Sequence, residues 1–329
     1  MMRSCHLLAS LLFITATSLI ITVSTTVSAA DTAEVLQVYI LAGQSNMQGQ
    51  GVVDLDHPKY YNGGRGTLAR VMLEPRNRTH FKHIRNQDGN WVVRDDVWCR
   101  YQTEKELKKG RLSIGFTGYP GKHHIGPEFQ FGHVIGDATK APVLLIKTAW
   151  GGKSLYKDFR PPSSGGTVGP YYKQMISEIR RGLAAIPKDF PEIGTRDYQL
   201  AGFVWFQGWN DIFAPDEERS QYSEHLINLI KDVRREFDRP ALPVVIGELG
   251  NLGDKAGKNL LVIRNEQRAA SKHKAFAGTV LFVKTAHFAR PKEESPNVSH
   301  GHHWFGNAES YFLIGDALAH AILQLRKPH

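Results

Sequence analysis

Residues 35–49 read Val35-Leu36-Gln37-Val38-Tyr39-Ile40-Leu41-Ala42-Gly43-Gln44-Ser45-Asn46-Met47-Gln48-Gly49, a nearly continuous apolar run that ends in small and polar residues. Continuous rather than alternating apolar character fits a strand covered on both faces, as in a parallel sheet. Four more runs of this kind follow at Val143–Ala149, Leu200–Phe206, Leu242–Gly247 and Thr279–Thr285. Between or after them, Glu128–Thr139, Tyr171–Ile186, Glu217–Phe237, Leu260–His273 and Glu309–Leu325 repeat apolar residues at helical spacing. The alternation predicts a doubly wound α/β domain with right-handed crossovers. In such sheets functional residues lie just past the carboxyl ends of strands.

The chain has 329 residues, 41% hydrophobic and 22% charged, which excludes disordered and fibrous classes and permits one large core. Its first residues have their own logic. Arg3 precedes an apolar run from Leu7 to Val27, and the small residues Ser28, Ala29 and Ala30 precede Asp31. That is the pattern of a cleaved secretory signal at residues 1–30, with an uncleaved membrane anchor as the alternative. A single domain over residues 31–329, secreted or periplasmic and with no stable membrane span after cleavage, is therefore expected. The mature chain keeps 40 Lys/Arg against 32 Asp/Glu, a net +8, and Cys99 as its only cysteine. A lone thiol excludes an internal disulfide framework.

Residues 52–125 break the rhythm. They show no sustained period, hold Trp91 and Trp98, and carry 14 Lys/Arg against 8 Asp/Glu. A stretch of that length inside a compact domain reads as a functional insertion, here an elaborated loop packed over the sheet's carboxyl edge.

The chemistry-bearing residues cluster at predicted strand ends. Ser45 sits in a turn of small residues that presents a hydroxyl, or that merely caps a helix. Gly151-Gly152 after the second strand leaves backbone amides open to close approach, as an oxyanion hole needs. Gln207-Gly208-Trp209-Asn210-Asp211 after the third supplies carboxamide donors and a carboxylate. Before the last helix comes Ser299-His300-Gly301-His302-His303, which lacks the acidic partners and i, i+4 spacing of hydrolytic zinc motifs. A general-base histidine is expected there, and no metal.

The order of these blocks, Gly43-Gln44-Ser45-Asn46-Met47, then Trp150-Gly151-Gly152, then Gln207-Gly208-Trp209-Asn210-Asp211, then a histidine before the final helix, resembles the SGNH-hydrolase superfamily. Within it the chain is most similar to carbohydrate esterase family six and sialate O-acetylesterase-like proteins. The resemblance implies a flavodoxin-like, five-stranded parallel sheet with helices on both faces. It also implies Ser45 as nucleophile, His303 as base, and an oxyanion hole from Ser45, Gly152 and Asn210, with Gln207 as the alternative donor. One feature departs from the pattern. The superfamily's Asp three residues before the catalytic His is here His300, so the orienting acid would be Asp211 or, alternatively, Glu294.

The function implied is a secreted serine esterase removing O-acetyl groups from a glycan such as acetylxylan or a sialate, with no cofactor. A catalytically weak carbohydrate-binding protein of the same fold is the rival, kept open by the missing acid. No nucleic-acid motif accompanies the positive charge. Aromatic and cationic residues in the insertion point to an acidic or sulfated glycan.

Overall fold

A computed structural model describes residues 34–194 and 197–326, so the leader read at residues 1–30 lies outside the described residues. Seven strands form one sheet: β1 (Leu36–Gly43), β2 (Val97–Gln102), β3 (Leu107–Arg111), β4 (Val143–Ala149), β5 (Tyr198–Phe206), β6 (Val244–Gly247) and β7 (Val280–Val283). Their order is β3-β2-β4-β1-β5-β6-β7, and every neighbouring pair is parallel except β2 and β3. The five apolar runs of the sequence supply β4-β1-β5-β6-β7, the order of a flavodoxin-like sheet.

The expectation of five strands is too small, and the reason is chemical. β2 and β3 both come from the 52–125 stretch, which was expected to be an elaborated loop over the carboxyl edge. In β2 the charge that hides the strand pattern is Arg100, buried but paired with Asp189 at 3.0 Å and Glu178 at 3.7 Å. β3 is the sheet's antiparallel edge, reading Leu107-Lys108-Lys109-Gly110-Arg111 with exposed positions alternating along it. Lysines on an edge strand repel further strand pairing, so they belong there without making an apolar signal.

Five longer helices cover the sheet: α1 (Pro127–Asp137), α2 (Pro170–Ala184), α3 (Tyr222–Glu236), α4 (Lys258–Ser271) and α5 (Ala308–Arg326). Side chains alternate across each strand, so the continuous apolar runs feed two cores at once. Leu36, Val38, Ile40 and Ala42 of β1 pack with α2, α3 and α4. Tyr39 and Leu41 face α1 and α5 instead. Part of the insertion closes this second core, where Phe81 meets Phe312 of α5 with ring centroids 4.2 Å apart. Truncating fully buried Phe312 to alanine should cost about 3–5 kcal/mol, because the layers on either side cannot collapse into the space.

β1 and β5 converge at their carboxyl ends. A Cβ on Gly43 would lie 2.1 Å from the Phe206 carbonyl oxygen, so only glycine fits. This close approach sets Gln44 and Ser45 against the loop that leaves β5.

Candidate active site

Ser45 opens a single helical turn, Ser45–Gln48, immediately beyond β1. The first amides of that turn to find carbonyl acceptors are those of Met47 and Gln48, both on Gln44. The serine is 8% exposed, enough to be reached from outside. The loop after β4 lies against it, since a Cβ on Gly151 would sit 3.9 Å from the Ser45 Cβ. Gly152 follows in a left-handed conformation, φ +71°, which strongly favours glycine. Its carbonyl accepts a 2.9 Å hydrogen bond from Asn210 Nδ2. The ends of β1, β4 and β5 thus bring Ser45, Gly152 and Asn210 together. A carboxamide nitrogen carries two hydrogens, and the Gly152 carbonyl takes one of those on Asn210.

Gln207 is placed differently. It is buried, and its Nε2 donates to Asp211 Oδ2 at 2.6 Å, Lys153 O at 2.9 Å and Gln44 Oε1 at 3.2 Å. Both its hydrogens are committed, so it offers a substrate nothing. Asp211 is buried as well and accepts from the amides of Leu155, at 2.9 Å, and Tyr156, at 3.1 Å, besides Gln207. Burial pushes its carboxyl up to about 6, against the opposing pull of those hydrogen bonds. No histidine is among its partners. What Asp211 does here is clamp the β4 loop to the β5 loop.

The histidine cluster occupies a tight turn spanning Gly301–Gly306. The His302 ring stands 5.8 Å from Trp209, the neighbour of Asn210, and the His303 ring 4.0 Å from His302. His300 stacks on His303 at 6.3 Å. Burial, then the other two histidines, lowers His303 to about 3, and burial followed by His300 lowers His302. Both imidazoles are therefore neutral near pH 7. Trp304 and Phe305 follow with φ of +54° and +53°, consecutive left-handed residues that are costly for large side chains. Such strain persists only where surrounding contacts enforce it.

Among the described residues no carboxylate hydrogen-bonds or ion-pairs with His300, His302 or His303. Glu294 is exposed, and it lines a separate cavity of about 520 Å³ with Arg65, Arg70 and Arg290. Among the described residues no group of three or more His, Cys, Asp or Glu is placed to hold a metal ion. The insertion's cations are spread out: Lys109 pairs with Asp189 at 2.7 Å on the sheet edge, and Arg94 with Asp96 at 2.7 Å.

Three residues that hold the site together were not singled out from the sequence. Asn46 Nδ2 donates to the His302 carbonyl at 3.2 Å and to Asn251 Oδ1 at 3.3 Å. Asn251 Nδ2 donates to the same carbonyl at 2.9 Å, and Tyr311 OH donates to Asn46 Oδ1 at 2.9 Å. Asn46 lay within the quoted block, but Asn251 and Tyr311 carry no local signal because their partners are far away in the chain.

Residues 35–324 match the family described as carbohydrate esterase, sialic acid-specific acetylesterase. Among solved structures, a protein from Arabidopsis thaliana superposes with a TM-score of 0.54 at 16% identity, covering 87% of this chain and 97% of that one. A carbohydrate acetylesterase from Xanthomonas citri superposes with a TM-score of 0.50 at 15% identity, covering 86% of this chain and 55% of that one. The chain thus spans about half the length of the Xanthomonas protein, and at these identities the likeness concerns the fold. No curated protein matches the sequence.

Proposed function

The chain belongs to the carbohydrate esterase family of sialic acid-specific acetylesterases and is a carboxylic ester hydrolase, and from that premise we propose that it removes O-acetyl groups from a glycan by a Ser-His mechanism. The observation that carries this reading is the convergence of Ser45, Gly152 and Asn210 at the ends of adjacent parallel strands, beside a histidine turn tied to Asn46.

Ser45 Oγ attacks the acetyl carbonyl and His303 accepts its proton. The Ser45 and Gly152 amides and the remaining Asn210 Nδ2 hydrogen stabilise the tetrahedral oxyanion. Collapse returns the proton to the departing sugar oxygen and leaves an acetyl-serine. Water, deprotonated by the same imidazole, then releases acetate. His303 is neutral at pH 7 and can accept a proton, yet among the described residues no carboxylate is paired with it to stabilise the imidazolium that forms. Turnover should accordingly fall below that of a full triad. Asp211 and Glu294 take no part in proton transfer on this reading.

The export-signal pattern read in the sequence of residues 1–30 supports action in the periplasm or the medium. An acidic or sulfated glycan is the narrower form of the proposal. It rests on the positive excess of residues 52–125, among which Arg65 and Arg70 are exposed and without ion-pair partners among the described residues, and a fall of kcat/KM with rising salt on such a glycan alone tests it. The rival reading, a sugar-binding protein with little turnover, is favoured by the lack of a carboxylate on the histidines.

Acetate release from acetylated glycans and from p-nitrophenyl acetate separates the two. Wild type should turn over, and Ser45→Ala should lose about a thousandfold or more with its melting temperature intact. Retention of a tenth of wild-type turnover by Ser45→Ala removes Ser45 as nucleophile. Glycan binding without acetate release by wild type establishes the rival.

A further inference from the structure

We propose that Gln44 is a positioning residue that dictates which end of the Asn210 carboxamide faces the reacting carbonyl; this rests on the esterase reading of Ser45. The argument begins with two donors that cannot turn round. The backbone amides of Gly208, at 3.1 Å, and Asn210, at 3.4 Å, both point at Gln44 Oε1. An N–H requires an acceptor, so the oxygen of the Gln44 carboxamide must face the β5 loop, and its nitrogen must face away. Gln207 Nε2 adds a third donor to the same oxygen at 3.2 Å.

With its oxygen fixed, Gln44 presents Nε2 to the Asn210 side chain, where it meets Oδ1 at 3.3 Å. A donor there requires the Asn210 oxygen to stay on that side. Nδ2 is then driven to the opposite side, onto Gly152 O in the loop that lies against Ser45. A flipped Asn210 would set its nitrogen against the Gln44 nitrogen and its oxygen against the Gly152 carbonyl. It would also offer a lone pair, not a hydrogen, to the developing oxyanion. Backbone geometry therefore sets Gln44, and Gln44 sets Asn210.

Burial makes the orientation of Gln44 itself firm. Gln44 is 1% exposed, so water does not stand in for a lost partner. Its side chain reaches the loop after β5 because Gly43 lets β1 and β5 close together. The relation needs no contact between Gln44 and substrate.

Gln44→Glu tests the inference at a pH high enough to ionise the new carboxyl, with the melting temperature read alongside because a charge is placed in a buried setting. One carboxylate oxygen keeps the three donors now on Oε1, while the other replaces the nitrogen and meets Asn210 Oδ1 as acceptor against acceptor. Asn210 should turn its amide, and kcat for p-nitrophenyl acetate should fall about a hundredfold with KM changed less than threefold, as when an oxyanion donor is removed. In an Asn210→Ala background the same substitution should cost less than threefold, because its effect passes through Asn210. Gln44→Met, which removes both ends of the carboxamide, should likewise show its kcat loss only when Asn210 is present. Equal losses in both backgrounds overturn the proposal, and so does a kcat within threefold of wild type for Gln44→Glu. If Asn210→Ala alone changes nothing while Ser45→Ala is inactive, the inference fails and the serine esterase reading stands. If Ser45→Ala remains active, the esterase reading itself has failed.

Discussion

Asn46 Nδ2 donates to the backbone carbonyl of His302 at 3.2 Å, linking the residue beside the proposed nucleophile to the turn that carries the proposed base. The two are 256 positions apart in the chain. Asn251 donates to the same carbonyl, and Tyr311 holds the other end of the Asn46 side chain. The histidine turn contains two consecutive strained residues, Trp304 and Phe305, and the cluster ties the turn down at His302, two residues before them.

Replacing Asn46 should expose that dependence. Asn46→Ala removes both donated bonds and leaves the buried Tyr311 hydroxyl only its long 3.4 Å contact with the His303 carbonyl. A stability loss of about 1–3 kcal/mol is expected, read by denaturant unfolding. kcat should drop at least tenfold while Ser45 itself is untouched. Full activity in a stable Asn46→Ala protein would show that the turn holds its shape without this bond.

The histidines should separate by substitution. His303→Ala is expected to abolish turnover of p-nitrophenyl acetate, and His300→Ala and His302→Ala to weaken it less. Chelator treatment should leave wild type unchanged. If His302→Ala is the inactive variant, the base is the imidazole that faces Trp209.

The acid limb of the pH profile should be displaced. A histidine at its ordinary pKa of about 6.5 is only about 3% neutral at pH 5. Burial and the neighbouring histidines lower His303 to about 3, so its base form persists at pH 5. kcat/KM should therefore hold from pH 7 to pH 5 in assays short enough to precede unfolding. A limb centred near pH 6.5 would contradict His303 as a buried, neutral base.

Stability should follow the opposite course. His133 is 1% exposed, neither ring nitrogen has a partner among the described residues, and burial lowers it to about 3. Its folded pKa lies below the unfolded value, so below about pH 6.5 the unfolded chain binds a proton that the folded chain refuses. The stability is complete above that pH and is lost progressively as pH falls toward 3. At pH 5 this one residue should cost about 2 kcal/mol relative to pH 7. The drop in Tm between pH 7 and pH 5 should shrink in His133→Phe. An unchanged drop would place the acid sensitivity elsewhere.

Asp211→Asn distinguishes a clamp from a triad acid. Removing a triad carboxylate costs about 10⁴ in kcat with geometry intact. Here the new amide would face the Gln207 nitrogen or the Leu155 amide, donor against donor. A lower melting temperature should accompany a smaller loss of kcat, and a 10⁴-fold loss at unchanged Tm would restore Asp211 as the acid.

The sequence alone was enough for everything that depends on local pattern. β1, β4, β5, β6 and β7 were legible because each is covered on both faces, and α1 to α5 because each repeats apolar residues at three- and four-residue spacing. That Ser45, Gly152 and Asn210 lie near one another was legible because strand ends in such a sheet lie at one edge. Tertiary structure decided the rest. β2 was hidden by Arg100, whose charge is cancelled by Asp189 and Glu178, residues far along the chain. β3 was hidden because an edge strand needs lysines more than apolar side chains. The work of Asp211 and Gln207 was equally invisible. A carboxylate or carboxamide reads the same whether it faces substrate or two buried loops, and only the donors that fold around it choose between them.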